Sequence, residues 1–236
     1  TMKYTLTLDL AAANIVAVLT DENDNQTTTR YAYAGVEFPS DPVSPDNIVT
    51  TLLDTLTTIN NGLPGDTDVL SEVHFVSGIA NGWIALDADF NALTEVISGG
   101  DNRAAKYVDA LMINGIGGQL QRKTGLPMTP TEPLALTLWL KNENQEAYAN
   151  AAHYMGVQEF IVNRLFGLNE VDEAHAARTG FYNVAHQDWD IQALAVTGLV
   201  TEQLPTLTTA DAITTPLLAA VATQTGLTDA TTFYRR

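Results

Sequence analysis

The chain has 236 residues, a formal net charge of -17 and 45% hydrophobic residues. This length is enough for one large domain or two small ones with a substantial core. Only 11 Lys and Arg stand against 28 acidic residues, which argues against nucleic acid or an anionic membrane surface as a partner. The lack of cysteine excludes disulfides and thiolate metal sites. No apolar run approaches the roughly 20 residues of a membrane span. No basic-then-apolar leader is seen, so we expect a cytoplasmic protein.

Apolar periodicity in the first hundred residues predicts a meander of three strands, then a helix, a buried strand and a hairpin. The predicted elements are strands Lys3–Leu10, Ile15–Thr20 and Thr27–Ala34, helix Asp46–Asn60 with Asp46 or Asn47 as N-cap, strand Val73–Ser77, and strands Trp83–Leu86 and Leu93–Ile97 around the turn Asp87–Asn91. Three antiparallel strands followed by a helix and more strands are the layout of a ribonuclease-H-like, actin-like half. We therefore expect an α/β fold with a mixed sheet of about five strands and flanking helices.

The chain beyond residue 101 is predicted to be mostly helical and to form a helical insertion. The predicted helices are Arg103–Arg122, Pro133–Lys141, Gln145–His153, Gln158–Phe166, Asp188–Val196 and Thr215–Ala222. Breaks are expected at Thr124–Pro127 and at Gly156, because glycine and proline interrupt helices. No strand is predicted for the last residues, Phe233–Arg236, and we expect a further domain to follow.

The connection between the first two strands carries the strongest chemical signal. Asp9 lies near the end of the first strand, and Ala11, Ala12, Ala13 and Asn14 follow it. Small side chains let backbone N–H groups approach an anion closely, and a strand-end aspartate can hold a hydrated magnesium ion. The alternative is an ordinary hairpin in which Asp9 only caps a turn.

Further segments, in the same order along the chain, resemble the N-terminal domain of the FGGY carbohydrate kinases, and most resemble the gluconate kinase branch. The segments that carry the resemblance are Leu8–Leu19, Val76–Asp87, Asp101–Ala104, Thr124–Pro127, Pro133–Leu140, Glu159–Gly167, Val171–Gly180, Trp189–Asp190 and Leu204–Pro205. Each segment is weak alone, and their collinear order gives them weight together.

This resemblance implies ATP-dependent phosphorylation of a sugar or sugar acid, with ATP and magnesium as cofactors, in a cleft between two actin-like domains. The chain corresponds to the first, sugar-binding domain over residues 1–236. In the family the general base, an aspartate, and most of the adenine site belong to the second domain, so this chain alone is expected to be inactive. A non-catalytic relative that binds a sugar acid or a partner remains an alternative, and a homodimer is left open.

The resemblance also assigns site residues. Asp9 would organise magnesium, and Ala11–Asn14 would form the phosphate turn. Ala80, Asn81, Asp101 and Arg103 would contact the sugar. An arginine fork suits the carboxylate of a sugar acid or a phosphate.

The sequence departs from the family pattern at several of these positions. The turn Ala11–Ala13 replaces Gly-Thr-Thr or Gly-Thr-Ser, and Val16 replaces a Lys or Arg. Ala80 and Asn81 replace a Met-His pair, and Gly99 replaces a Trp. Hydroxyl donors and a cation are therefore missing from the phosphate turn. Alanine also tolerates a positive φ less readily than glycine.

Each of these sugar-site residues also has an ordinary structural alternative. Asn81 begins an Asn-Gly turn dipeptide, while Asp101 and Arg103 would open the helix that follows as a cap and a surface arginine. A second group of residues either lines the cleft or forms a solvated, charged loop, and we expect the loop. The group comprises Asp172, Glu173, His175, Arg178 and Thr179. Trp83 and Trp139 are expected to be core aromatics.

Overall fold

The chain divides into two units, and the structure, a computed structural model, describes residues 1–79, 82–97 and 102–236. The first unit comprises Thr1–Ile79, Phe160–Asn169 and Ala210–Arg236, and the second comprises Ala80–Glu159 and Glu170–Thr209. Within the described ranges, no helix has the length and apolar character that crossing a membrane requires.

The described residues form both strands and helices. The strands are β1 (Lys3–Leu10), β2 (Asn14–Asp21), β3 (Gln26–Ala32), β4 (Val69–Val76), β5 (Ile84–Leu86), β6 (His153–Met155), β7 (Glu170–Asp172), β8 (Tyr182–Asn183), β9 (Asp188–Trp189), β10 (Thr206–Thr208), β11 (Ala212–Ile213) and β12 (Thr232–Arg235). The helices are α1 (Pro45–Asn61), α2 (Ala105–Ile113), α3 (Ile116–Thr124), α4 (Pro133–Glu143), α5 (Gln145–Asn150), α6 (Val157–Phe166), α7 (Glu173–Ala176), α8 (Ile191–Thr197) and α9 (Ala219–Thr225).

The first unit is built on a mixed sheet. β1, β2 and β3 form the predicted antiparallel meander, and β4 lies parallel to β1 on its other side. In the described residues the sheet has six strands in the order β11-β12-β4-β1-β2-β3. Leu6, Leu8 and Leu10 of β1 are fully buried, as the two-residue side-chain period of a strand with one core face requires. The α/β class with a mixed sheet is confirmed, with one strand more than the five predicted.

Helix α1 begins earlier than its sequence pattern indicated. Ser44 is the N-cap, its hydroxyl accepts from the N–H of Asn47 at 3.4 Å, and Pro45 occupies the first helical turn. Proline fits there because the first N–H groups of a helix have no intrahelical partner. The prediction of Asp46 or Asn47 as N-cap was therefore wrong.

The second unit packs around Trp83, which confirms the prediction that Trp83 is a core aromatic. The indole is 1% exposed, and its Nε1–H donates to the hydroxyl of Thr137 in α4 at 2.9 Å. Tyr154 and Phe181 stack against it with centroid distances of 5.9 and 6.1 Å. Short two-stranded pairs surround this core, namely β5 with β6, β7 with β10 and β8 with β9.

The predicted helix Arg103–Arg122 is two helices, because Asn114 ends α2 and Gly115, with φ at 86°, starts α3. A left-handed residue cannot continue an α-helix, and glycine adopts this conformation without steric cost. Helix α8 starts later than predicted for a different reason, since Asp190 caps it and Asp188 and Trp189 pair as β9 instead.

Other boundaries also differ from the predictions. No strand forms over the predicted range Leu93–Ile97 in the described residues; Ile97 makes an isolated bridge to Trp83, and Ala92, just before the range, makes one to Leu86. His153, predicted to end a helix, lies in β6, and α9 starts four residues later than predicted. The end of the sequence was predicted to lack a strand, but β12 pairs in parallel with β4 over Thr232–Arg235. These short elements depend on long-range pairing, which local periodicity does not report.

Candidate functional site

The turn between β1 and β2 keeps two backbone donors available. The N–H of Ala11 donates to the carbonyl of Asn14 at 3.0 Å, and the N–H of Tyr33 donates to the carbonyl of Ala13 at 3.2 Å. The N–H groups of Ala12 and Ala13 donate to no protein acceptor in the described residues. Unshared N–H groups in a tight turn are the usual backbone contribution to an anion site.

Alanine causes no backbone strain in this turn. Among the described non-glycine residues, positive φ angles occur only at Asp24, Phe90 and Gln187. Ala11–Asn14 therefore keep negative φ angles, so replacing glycine here has no conformational cost. What the turn lacks is a hydroxyl or a basic side chain, since Val16 follows it in β2.

Asp9 stands beside this turn with one carboxylate oxygen uncommitted. Its Oδ1 is buried and has no hydrogen-bond partner in the described residues. Gly78, which comes shortly after β4, packs against the Asp9 carboxylate. A Cβ at Gly78 would lie 2.6 Å from Oδ1 of Asp9 and 3.2 Å from the Cα of Ala11. The N–H of Ile79 donates to the carbonyl of Leu10 at 3.1 Å and holds this segment against β1. A strand-end carboxylate with a spare oxygen fits a hydrated divalent cation, for which oxygen is the preferred ligand.

Tyr33 adds a second buried polar group near Asp9. The side chain is 2% exposed, and its hydroxyl has no partner within the described residues. Burial, followed by the negative charge of Asp9, raises the pKa of the Tyr33 hydroxyl, so it stays neutral and can donate a hydrogen bond.

Arg103 belongs to the second unit and is exposed, just before α2. Its guanidinium lies over the ring of Trp139, with the central carbon 5.0 Å from the ring centroid. Trp139, on α4, is half-buried against the core rather than fully enclosed. Stacking of this kind holds an arginine side chain in place.

A buried cluster of ionisable groups surrounds His175. Its Nδ1 lies 2.8 Å from Oδ1 of Asp172, and Gln158 donates to the same oxygen at 3.3 Å. His175 is 7% exposed. Burial opposes ionisation of both groups, but their mutual hydrogen bond and charge outweigh it, so the pKa of His175 is raised and that of Asp172 is lowered. The expectation that this segment is a solvated loop was wrong for His175.

Two further acids of the second unit, Glu159 and Glu132, are buried. Glu159 accepts from the N–H of Gly156 at 3.2 Å through Oε1, and burial raises its pKa to about 7. Glu132, the N-cap of α4, is 5% exposed and lies against Gly180, and burial raises its pKa to about 8. Both acids have carboxyl groups held largely away from water, where the charged form is disfavoured.

Comparison with known proteins adds to this geometry. The FGGY family of carbohydrate kinases, N-terminal domain, matches residues 4–234. The chain belongs to the FGGY family of carbohydrate kinases. A gluconokinase of Bacillus subtilis (strain 168) is 27% identical over 233 residues, covering 98% of this chain and 45% of that protein.

Solved structures of FGGY relatives have the same fold. A gluconate kinase from Lactobacillus acidophilus matches with a TM-score of 0.86 and 26% identity, over 99% of this chain and 47% of that one. A ligand-bound xylulose kinase from the same organism also matches with a TM-score of 0.86 and 26% identity, over 98% and 47%. The predicted actin-like fold is confirmed. The chain spans about half the length of these relatives.

In this FGGY chain, the described residues include only part of the predicted site. Asp9, Ala11–Asn14 and Arg103 are described, and the structure brings Asp9 and the turn together in the first unit. Ala80, Asn81 and Asp101, predicted to contact sugar, lie outside the described residues, as does Gly99. Their assignments stay predictions.

Sequence reasoning missed Tyr33 and the importance of Gly78 in the FGGY chain. Tyr33 follows the third strand and had no motif to mark it. Gly78 lies in the segment Val76–Asp87, and its position directly after the predicted strand Val73–Ser77 was the available signal. Only the parallel pairing of β1 with β4 brings the two together, at Asp9 and Val76.

Proposed function

We propose that this chain is the sugar-binding half of an enzyme that transfers a phosphoryl group from ATP to a hydroxyl of a sugar or sugar acid of the gluconate type. Gluconokinases and xylulose kinases among its relatives support this class of substrate. The observation that carries the proposal is the uncommitted Asp9 oxygen beside a turn with two free N–H groups. Phosphoryl transfer depends mainly on positioning and charge neutralisation, which these groups suit.

In this proposal Asp9 would hold a magnesium ion, and the turn Ala11–Asn14 would bind phosphate oxygens through its N–H groups. Ala80, Asn81, Asp101 and Arg103 would contact the sugar. ATP would supply the phosphoryl group, and magnesium held at Asp9 would neutralise part of its charge. The sugar hydroxyl oxygen bonds to the terminal phosphorus as the bond to ADP breaks, and a carboxylate from a second domain takes the hydroxyl proton.

The second-domain base makes a direct test available. The purified 236-residue chain should give no ADP release with gluconate or any pentulose, whereas the full-length gene product should turn over at least one sugar or sugar acid of a panel in a coupled assay. Turnover by the 236-residue chain that Asp9→Ala abolishes would contradict the assignment of the base to another domain.

A non-catalytic relative that binds a sugar acid or a partner is the second candidate, favoured by the absence of hydroxyl and basic side chains from the turn. Restoring them with Ala11→Gly, Ala12→Thr, Ala13→Thr and Val16→Lys separates the two functions. Undetectable turnover in both the full-length parent and this variant, across the panel, would favour the non-catalytic function.

A further inference from the structure

Arg30 lies in one row with Asp9 on the sheet of the first unit. In the pairing of β1 with β2, Asp9 is opposite Val16, and in the pairing of β2 with β3, Val16 is opposite Arg30. Directly opposed residues project from the same face of a sheet. Neighbouring strands lie about 4.8 Å apart, so the backbones of Asp9 and Arg30 are separated by roughly 10 Å.

This row lies next to the turn Ala11–Asn14. Leu10 and Ile15 form the pair between the row and the turn, only one residue further along each strand. Arg30 is exposed, and in the described residues it forms no hydrogen bond or ion pair. Val16, the residue between Asp9 and Arg30, is short and apolar and offers the guanidinium no polar partner. The arginine therefore keeps all its donors free at the side of the turn.

A polyphosphate bound at this turn would be stabilised by such a group. The chain carries a net charge of -17, so a polyanion approaching the turn meets an unfavourable field. Two backbone N–H groups supply partial charges only, and an arginine fork matches two phosphate oxygens at once. We propose that Arg30 binds a phosphate group of the nucleotide at the Ala11–Asn14 turn and supplies the fixed positive charge that the turn itself lacks, an inference that rests on the proposed kinase function.

Moving the arginine from position 30 on β3 to position 16 on β2 tests the proposed phosphate contact directly. Binding of a non-hydrolysable ATP analogue with Mg²⁺ is measured by isothermal titration calorimetry on the full-length gene product. Arg30→Gln should weaken binding about tenfold or more, since it removes a charge-assisted hydrogen bond. The double variant Arg30→Val/Val16→Arg places the guanidinium on the neighbouring strand of the same row and should recover most of the affinity.

Lys3→Gln is the matched control, because Lys3 is exposed on the same face of β1 at the end far from the turn. It removes the same charge and should leave the affinity unchanged. An unchanged affinity in Arg30→Gln, equal losses in both single variants, or no recovery in the double variant overturns the role of Arg30. A parent protein that binds no analogue overturns the kinase function together with this inference, so the two failures are distinguishable.

Discussion

Asp9 and Asp172 are both aspartates near the end of a strand, yet the two units treat them in opposite ways. Asp172 accepts hydrogen bonds from the backbone and ring of His175 and from Gln158. Asp9 keeps a buried oxygen without a partner in the described residues. A carboxylate paired with a buried cation is costly to leave alone, because removing the cation strands a buried charge, whereas one left unmatched beside an open turn has an acceptor to offer a ligand. Strand-end position alone does not distinguish the two roles.

Removing His175 should have the largest effect on stability. His175→Ala leaves the Asp172 carboxylate buried without its cation, so the free energy of unfolding should fall by about 3 kcal/mol. The pair is ionised between the lowered pKa of Asp172, below 3.8, and the raised pKa of His175, above 6.5. The loss measured by urea denaturation should therefore be greatest in that pH window and decline on either side.

His186→Ala is the control for this prediction, because His186 lies exposed in a turn. It should change the unfolding free energy by less than about 0.5 kcal/mol. If the two histidine substitutions change the unfolding free energy equally, the pairing of Asp172 with His175 is not what distinguishes Asp172 from Asp9.

Glu159→Gln should give the next largest effect, with the opposite sign. The pKa of Glu159 rises from 4.5 to about 7 on folding, so its contribution to stability is present below pH 4.5 and is lost as the pH rises through about 7. Glutamine does not ionise, and the variant should gain stability over the parent by up to about 3 kcal/mol at pH 8. Denaturation at pH 5 and pH 8 measures this, and a difference that does not grow with pH would contradict it.

Gly78→Ala should have a smaller effect on stability and a specific one on Asp9. The new Cβ would lie 2.6 Å from Oδ1 of Asp9, so the carboxylate must move, at a cost of about 1–2 kcal/mol. In an Asp9→Ala background the same substitution should cost less, because the colliding group is gone. Gly118→Ala is the control, since the nearest atom to its Cβ is Nη1 of Arg122 at 3.7 Å. If the stability costs of Gly78→Ala and Asp9→Ala simply add in the double variant, the new Cβ does not act through the Asp9 carboxylate.

Asp9→Asn should have the smallest effect on stability and a large one on ligand binding. No described partner is lost, so the free energy of unfolding should stay within about 0.5 kcal/mol of the parent. Binding of Mn²⁺, followed by electron paramagnetic resonance with an ATP analogue on the full-length gene product, should be lost. A large loss of stability with Mn²⁺ binding intact would make Asp9 a structural residue like Asp172.

Two five-residue turns show which features local sequence predicts and which depend on distant residues. Asp21–Asn25 and Asp87–Asn91 have the same bonds, with the first aspartate accepting from two backbone N–H groups and from the asparagine side chain. Asp and Asn favour such local bonds, and the sequence predicts the turn Asp87–Asn91. Their fourth residues, Asp24 and Phe90, have φ angles of 63° and 62°. Aspartate tolerates this conformation, whereas Phe90 depends on its stack against His153, with centroids 4.1 Å apart. That partner comes from a distant strand and leaves no local signal.

The sequence by itself determined the α/β class, the three-stranded meander, helix α1 to within a turn, and the position of Asp9 beside a turn of small residues. These features depend on periodicity and turn chemistry that operate over a few neighbouring residues. Only the tertiary structure decided that Gly78 meets Asp9, that Arg30 shares its row, and that His175 is buried against Asp172. Each of these depends on strand register or on packing between distant segments, where a shift of one residue would turn the side chain to the other face.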